Sequence, residues 1–272
     1  KVNMGKVKIK RKSTLIDMTA MSDVTVLLLT FFMLTSTFLQ KEPTIVYTPS
    51  SVSEEKVPMN NLVTVLVSSA DKSGKYEDPS LLEGKLFISF TGDVDSTLSS
   101  EKIRLMMLDE ALNIYNDQHK NHPVRLTQEQ KNVFGQTNMF GVAFKDLPDM
   151  LSMSPTERDK FQGDMANPKV GIPIDGNKNP ERYNDFQVWL QAIYNVAQRI
   201  NREQGEDLSP EEKANLQNLY TALMRKGQGI AIKADKDTPF TTVQLVFDNL
   251  QTMKLNKFSL MTALKSEDEP TK

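Results

Sequence analysis

The 272-residue chain has no cysteine, so it has neither a disulfide framework nor a thiol for catalysis or metal binding. It has one tryptophan and two histidines, His119 and His122. An i, i+3 histidine pair can share a metal ion, but this pair lies in polar sequence with no further ligand type nearby, so both are read as solvated. No glycine-rich phosphate loop is present, because "DKSGK" (71–75) lacks the spacing, and there is no serine-nucleophile elbow. "DGNKNPERYNDF" (175–186) opens like a calcium loop but has Pro180 where the sixth position requires glycine. There are no internal repeats. These absences leave no expectation of an enzyme, a cofactor or a metal. Net charge is small, −2, and mean hydropathy is −0.42, so most of the chain is ordinary soluble sequence, with one or two domains' worth of length.

One stretch departs from this. "AMSDVTVLLLTFFMLTSTFL" (20–39) is apolar or weakly polar throughout except for Asp23. As a helix it spans roughly 30 Å, one hydrocarbon core. A cleaved signal peptide has a shorter apolar region and small residues before the cut, and "TST" (35–37) is a poor match, so a retained span is expected. Residues 1–19 carry six basic side chains against Asp17, a net +5, while the remainder carries 27 basic and 34 acidic residues, a net −7. A basic arm before an apolar run predicts a cytoplasmic N-terminus and a C-terminal part across the membrane. The acidic remainder argues against nucleic acid as the partner of "KVKIKRK" (6–12). The chain begins at Lys1 and not at methionine, so a few preceding residues are expected.

The span is not a plain anchor. Thr19, Asp23, Thr30 and Thr37 are spaced 4, 7 and 7 apart and share one helical face, with Ser22 beside them. Hydroxyls alone could serve helix packing. A carboxyl is different: it costs about 2.5–3.5 kcal/mol to insert at mid-membrane, and such residues face cavities or partners and mark ion paths. Asp23 is therefore a candidate functional residue that marks an ion path, with Thr19, Ser22, Thr30 and Thr37 forming the polar stripe with it.

"LIDMTAMSDVTVLLLTFFMLTSTF" (15–38) resembles the ExbD/TolR biopolymer-transport family, through Ile16-Asp17-Met18-Thr19, Asp23-Val24, Leu27-Leu28-Leu29 and Phe32-Met33. The family's usual proline after the threonine is Ala20 here, and its frequent asparagine is Asp17. Pro49 after "TIVYT" (44–48) and "GIAIKADKDTPFTTVQLVFDNLQTMKLNKFSLMT" (229–262) add to the likeness, whereas 116–226 has no counterpart in short members. The resemblance implies an inner-membrane, proton-motive-force-driven, stator-like complex. In it a homodimer of this chain sits inside a pentamer of a multi-spanning ExbB/TolQ-like partner, the carboxyl matched by Asp23 exchanges protons, and a TonB-like protein carries the energy to outer-membrane transport.

The expected organisation is α+β: a cytoplasmic arm (1–19), a transmembrane helix (20–39), an extended periplasmic linker (40–59), a domain in two parts (60–119 and 227–265) and a tail (266–272). A helical insertion (120–226) divides the domain. Strands are expected at 61–69, 85–90, 229–234 and 257–264, with a short one at 44–48, and a turn at 71–79. Helices are expected at 99–117, 240–253 and about 180–203, the last with Phe186, Trp189, Leu190, Ile193, Tyr194, Ala197 and Ile200 as a core stripe. Capping boxes are read at Thr127/Gln130, Ser154/Glu157 and Ser209/Glu212, and an imperfect one at Ser99/Lys102. The pattern suggests two strand pairs covered on one face by helices, and an insertion that can be cut out. The competing functional reading is a signal-anchored periplasmic binding module without proton coupling, and a TolR-like envelope-maintenance role is a further alternative. The polar stripe favours proton coupling, since a tether has no use for it.

Overall fold

The computed structural model describes residues 18–35, 42–44, 46–51, 63–68, 84–90, 100–179, 182–203, 229–236, 238–255, 258–261 and 263–264. The arm up to residue 17, Thr37, the turn at 71–79, Ser99, the capping box at Ser209/Glu212, the rest of the insertion from 204 and the tail lie outside them. The chain divides into two units, 1–40 and 41–272.

The first unit contains α1, Met18–Thr35. Leucine and methionine favour the helix, and no proline or glycine interrupts it. Among the described residues no helix is long and apolar enough to cross a membrane.

The second unit runs β1 (Ser50–Ser51), β2 (Val63–Ser68), β3 (Lys85–Phe90), α2 (Ser100–Gln118), α3 (Gln128–Gln136), β4 (Met139–Phe140) and a 3₁₀ turn at Phe144–Asp146. There follow α4 (Leu147–Ser152), α5 (Pro155–Gly163), α6 (Asp185–Glu203), β5 (Ile230–Ala234), α7 (Phe240–Thr252), β6 (Ser259–Met261) and β7 (Ala263–Leu264). The main sheet is five-stranded and mixed, in the order β4-β3-β2-β5-β6. β2 pairs antiparallel with β3 (Val65↔Ile88, Leu66↔Phe87) and parallel with β5 (Val65↔Ile232), while β5 and β6 pair parallel around the α7 crossover.

Alternation along the strands gives the sheet two covered faces. Val63, Val65 and Val67 of β2 and Leu86, Ile88 and Phe90 of β3 pack with α2, α6 and α7 in the principal core. Leu66 and Phe87 point the other way, into a smaller cluster with Val46, Met139, Met165 and Val170.

Several expectations change here. The sheet has five strands and not two pairs, because β4, from inside the expected helical insertion, pairs with β3 (Ile88↔Phe140, Ser89↔Met139). The closing strand is divided: β6 joins the main sheet, and β7 pairs parallel with β1 (Ser50↔Ala263). Residues 46–49 form no strand; Val46 is buried, and Tyr47 O accepts from Lys236 N at 2.8 Å. Nor is the second sheet face bare, since Val46, Met165 and Val170 pack on it.

The described part of the insertion belongs to the shared core. Trp189 packs on Phe140 (4.7 Å between ring centroids), Phe144 (4.9 Å), Phe134 (5.9 Å) and Phe90 of β3 (6.2 Å). Of the stripe expected on α6, Phe186, Trp189, Leu190, Ile193 and Ala197 are buried and Tyr194 is half-buried. Both described capping boxes form: Gln130 N donates to Thr127 Oγ1 (3.2 Å) and Glu157 N to Ser154 Oγ (3.4 Å), with each partner side chain accepting from the cap's backbone N–H.

Candidate functional site

The candidate site is α1. Its described side chains, 21–33, are all exposed, including Met21, Val24, Leu27, Phe31, Phe32 and Met33. An apolar surface of this extent marks contact with lipid or with another protein. Phe31 and Phe32 meet edge to face at 5.9 Å, which leaves the rings together on one flank.

Asp23 lies in the second turn of α1 and is the only ionisable side chain between residues 18 and 39. With 3.6 residues per turn, Thr30 falls about 20° from Asp23 around the helix axis and Thr19 about 40°. Thr19 belongs to α1, though its side chain is not described, and Ser22 and Thr30 are exposed. Thr30 Oγ1 donates to Leu27 O at 2.9 Å, and Thr25 Oγ1 donates to Met21 O at 2.6 Å and Ser22 O at 3.0 Å. Both hydroxyl protons are spent on the helix's own backbone, the usual accommodation of threonine in an apolar helix. Thr30 therefore offers a partner oxygen lone pairs and not a free donor. The backbone places Thr19, Asp23 and Thr30 on one face.

Two polar depressions lie on the second unit. A cavity of about 310 Å³ is lined by Glu42 and Pro43 together with Gln136, Asn138, Arg158 and Gln162. Arg158 Nη1 donates to Thr137 Oγ1 at 3.0 Å, and burial pushes its guanidinium below its ordinary value. A crevice of about 740 Å³ is lined by His119, Asp175, Asn177, Arg182, Tyr183 and Asp185. Burial raises the Asp185 carboxyl above the ordinary range, against the opposing pull of the Phe144 N–H (2.9 Å), His119 and Lys145.

His119 is not the solvated residue expected. It is half-buried, stacks on Tyr115 (4.1 Å between centroids) and has Nδ1 2.9 Å from Tyr115 O; His122 is exposed. In the loop that opens like a calcium site, Asp175 Oδ1 accepts from Asn177 N (3.1 Å) and Asn184 Nδ2 (2.6 Å), so its carboxylate is committed within the loop. Among the described residues no group of histidine and carboxylate side chains could hold a metal ion.

Arg104 is not foreseen by the apolar spacing of α2, which marks only an amphipathic helix. Its guanidinium is buried and donates to Phe90 O (3.3 Å), Gly135 O (2.8 Å) and Asn138 Oδ1 (2.9 Å). The signal was available in position alone: Arg104 is three residues before Met107, on the buried face.

The architecture defines a class: a mixed α+β domain with one main sheet, preceded by a separate apolar helix with a single carboxyl. Residues 10–137 match the family described as biopolymer transport protein ExbD/TolR. The match takes in α1 with Asp23 and continues through α3, beyond the point at which the likeness to short members was expected to stop. The C-terminal segment 229–262 lies outside it. No curated protein and no solved structure matches the chain.

Proposed function

We propose that this chain is a single-pass inner-membrane subunit of a proton-driven motor, with Asp23 as the group that takes up and releases protons. The observation that carries the reading is a lone ionisable residue on an exposed apolar helix, inside the stretch that matches ExbD/TolR. α1 has 18 residues, about 27 Å of helix, and the apolar sequence continues to Leu39. The +5 arm ahead of it keeps the N-terminus in the cytoplasm and sends the second unit to the periplasm.

Apolar surroundings favour the neutral form of a carboxyl and a wet exit favours the charged form. Alternation between the two moves a proton, and each proton crossing 100 mV releases about 2.3 kcal/mol. Thr19 and Thr30 share the face of Asp23, and with Ser22 beside them and Thr37 further along the sequence they support the proton's path. The helix works as a homodimer within a multi-spanning ExbB/TolQ-like partner, and its output reaches outer-membrane transport through a TonB-like protein. The family description joins ExbD with TolR, so envelope maintenance is the neighbouring reading and uses the same carboxyl.

Asn has nearly the shape of Asp but does not titrate in this range. Asp23→Asn is expected to insert and assemble at normal level and to abolish gradient-dependent work. Near-normal activity at normal level would reduce α1 to an anchor and leave the binding-module reading. Comparing nutrient uptake with envelope integrity in the same strain separates the ExbD-like role from the TolR-like one.

A further inference from the structure

We propose that the second unit meets the periplasmic rim of the multi-spanning partner through the face that carries Glu42, held there by a leash of only a few residues. The proposal deepens the motor reading above, on which the span and the partner both depend.

The apolar run ends at Leu39, and the chain is packed onto the domain from Glu42 onward. Both carboxylate oxygens of Glu42 accept from Lys233 Nζ of β5, at 2.8 and 2.7 Å. Thr44 and Val46 are buried. Val46 packs with Leu66 and Phe87 of the sheet and with Met139, Met165 and Val170. A Cβ on Gly163 would lie 3.5 Å from Pro43 O. The extended linker expected over 40–59 is thus shortened from its start: from Leu39 to a docked residue is three steps of chain. Fully extended, they reach about 10 Å. The interfacial layer outside the hydrocarbon is itself about 5–7 Å thick on each side. Glu42 and the surface around it are therefore held close to the outer edge of that layer.

What they meet there follows from Asp23. A carboxyl at membrane depth faces protein or a water-filled cavity, not lipid tails, so the helix that carries it leaves the membrane through the partner. The chemistry of the face agrees. Gln136, Asn138, Arg158 and Asp159 line one depression with Glu42. Charge there is mixed in sign, with Arg158 beside Asp159 and Glu42 already paired with Lys233. An anionic headgroup layer attracts a surplus of cations, whereas amides and charges of both signs fit a polar protein rim. The second unit also has a far end. Arg104 of α2 donates to Gly135 O and Asn138 Oδ1, beside this face. α2 runs on to Gln118, about 21 Å further along its axis. His122, exposed and bonded through its N–H to His119 O at 3.0 Å, belongs to that distal end.

The test places a photo-cross-linking amino acid at exposed Gln136, or at His122, in the full-length chain in its native membrane with its partner. Gln136 is expected to cross-link to the partner at least about fivefold more than His122, at segments between the partner's spans. Asn132, exposed and one turn back on α3, serves as a second position if the Gln136 variant does not accumulate. Equal yields from the two ends, or cross-links to lipid alone, would overturn the proposal. A Gly/Ser segment of about 12 residues inserted between Gln40 and Lys41 adds roughly 20 Å of reach. It is expected to lower the Gln136 yield about fivefold, and an unchanged yield would show that the leash does not hold the face in place. Asp23→Asn is expected to leave the cross-link intact, since cross-linking needs no proton transfer. A chain that carbonate washes off the membrane would refute the shared span reading; a retained chain without the Gln136 cross-link would refute this inference alone.

Discussion

At the scale of single residues, the charged groups that matter to the domain are the buried ones. Arg104 bridges β3, α3 and the turn into β4 with three donated hydrogen bonds, and burial pushes its guanidinium down while Glu101 opposes that shift. Its removal leaves three acceptors unpaired. Arg104→Ala is expected to cost about 3 kcal/mol, read as a fall in the urea midpoint, and Arg104→Lys recovers only part, because an ammonium cannot reproduce the planar fork. Asp185 is a different case. The folded protein holds its proton more tightly than the unfolded chain does, because burial raises the carboxyl. That contribution favours folding below the ordinary aspartate range and is lost as pH rises through the raised value. Stability of the wild type is therefore expected to decline across that window, and Asp185→Asn to flatten the decline while retaining an oxygen for the Phe144 N–H. A denaturation series in pH checks it; parallel curves would mean that Asp185 does not titrate differently in the folded state. These roles were illegible in the sequence, since nothing in "EKIRLMM" or "YNDFQ" distinguishes a buried charge from a solvated one until the packing partners are known.

At the scale of elements, legibility followed period and length. β2, β3, β5, α2, α6 and α7 lie within a residue or a few of their expected bounds, because six or more residues of consistent alternation or a 3.6 period leave few alternatives. The capping boxes at Thr127 and Ser154 were readable for a local reason: donor and acceptor lie three residues apart. Thr127→Ala is accordingly expected to cost about 1 kcal/mol in thermal unfolding, and Thr127→Ser almost nothing. β4 was invisible. Two residues have no period, and Met139–Phe140 becomes a strand only by pairing with β3. What permits the approach is Gly141, where a Cβ would collide with the Phe87 ring and lie 2.7 Å from Leu86 O. Gly141→Ala must displace backbone as well as a ring, and a loss of about 1–3 kcal/mol is expected by the measure of other overpacked sites. The seat of Val46 was missed for the same reason as β4, its partners being some 20 to 120 residues away along the chain.

At the scale of the whole molecule, charge and packing make separate predictions. The +5 arm and the −7 remainder argue for a cytoplasmic start and a periplasmic second unit, and a periplasm-dependent reporter fused after residue 265 is expected to be active there. Packing speaks to the insertion. Strand–helix units on both sides of 120–226 suggest from the sequence that it can be excised. The core argues the reverse. Phe134, Phe140, Phe144, Phe186 and Trp189 all come from that stretch and are fully buried, in one cluster with Val65 and Ile88 of the sheet. Removing them would uncover Phe90 and the inner face of α2 and leave β3 as an unpaired edge, the combination that invites aggregation. Deletion of 120–226 with a short linker is therefore expected to abolish cooperative unfolding of the second unit and to expose apolar surface to a dye such as ANS. The one tryptophan supplies an independent reading in the intact chain: Trp189 touches Phe90 of β3, so its fluorescence should change in the same transition as the far-ultraviolet dichroism of the sheet. Two separated transitions, or a folded deletion variant, would show that the insertion is an autonomous lobe after all.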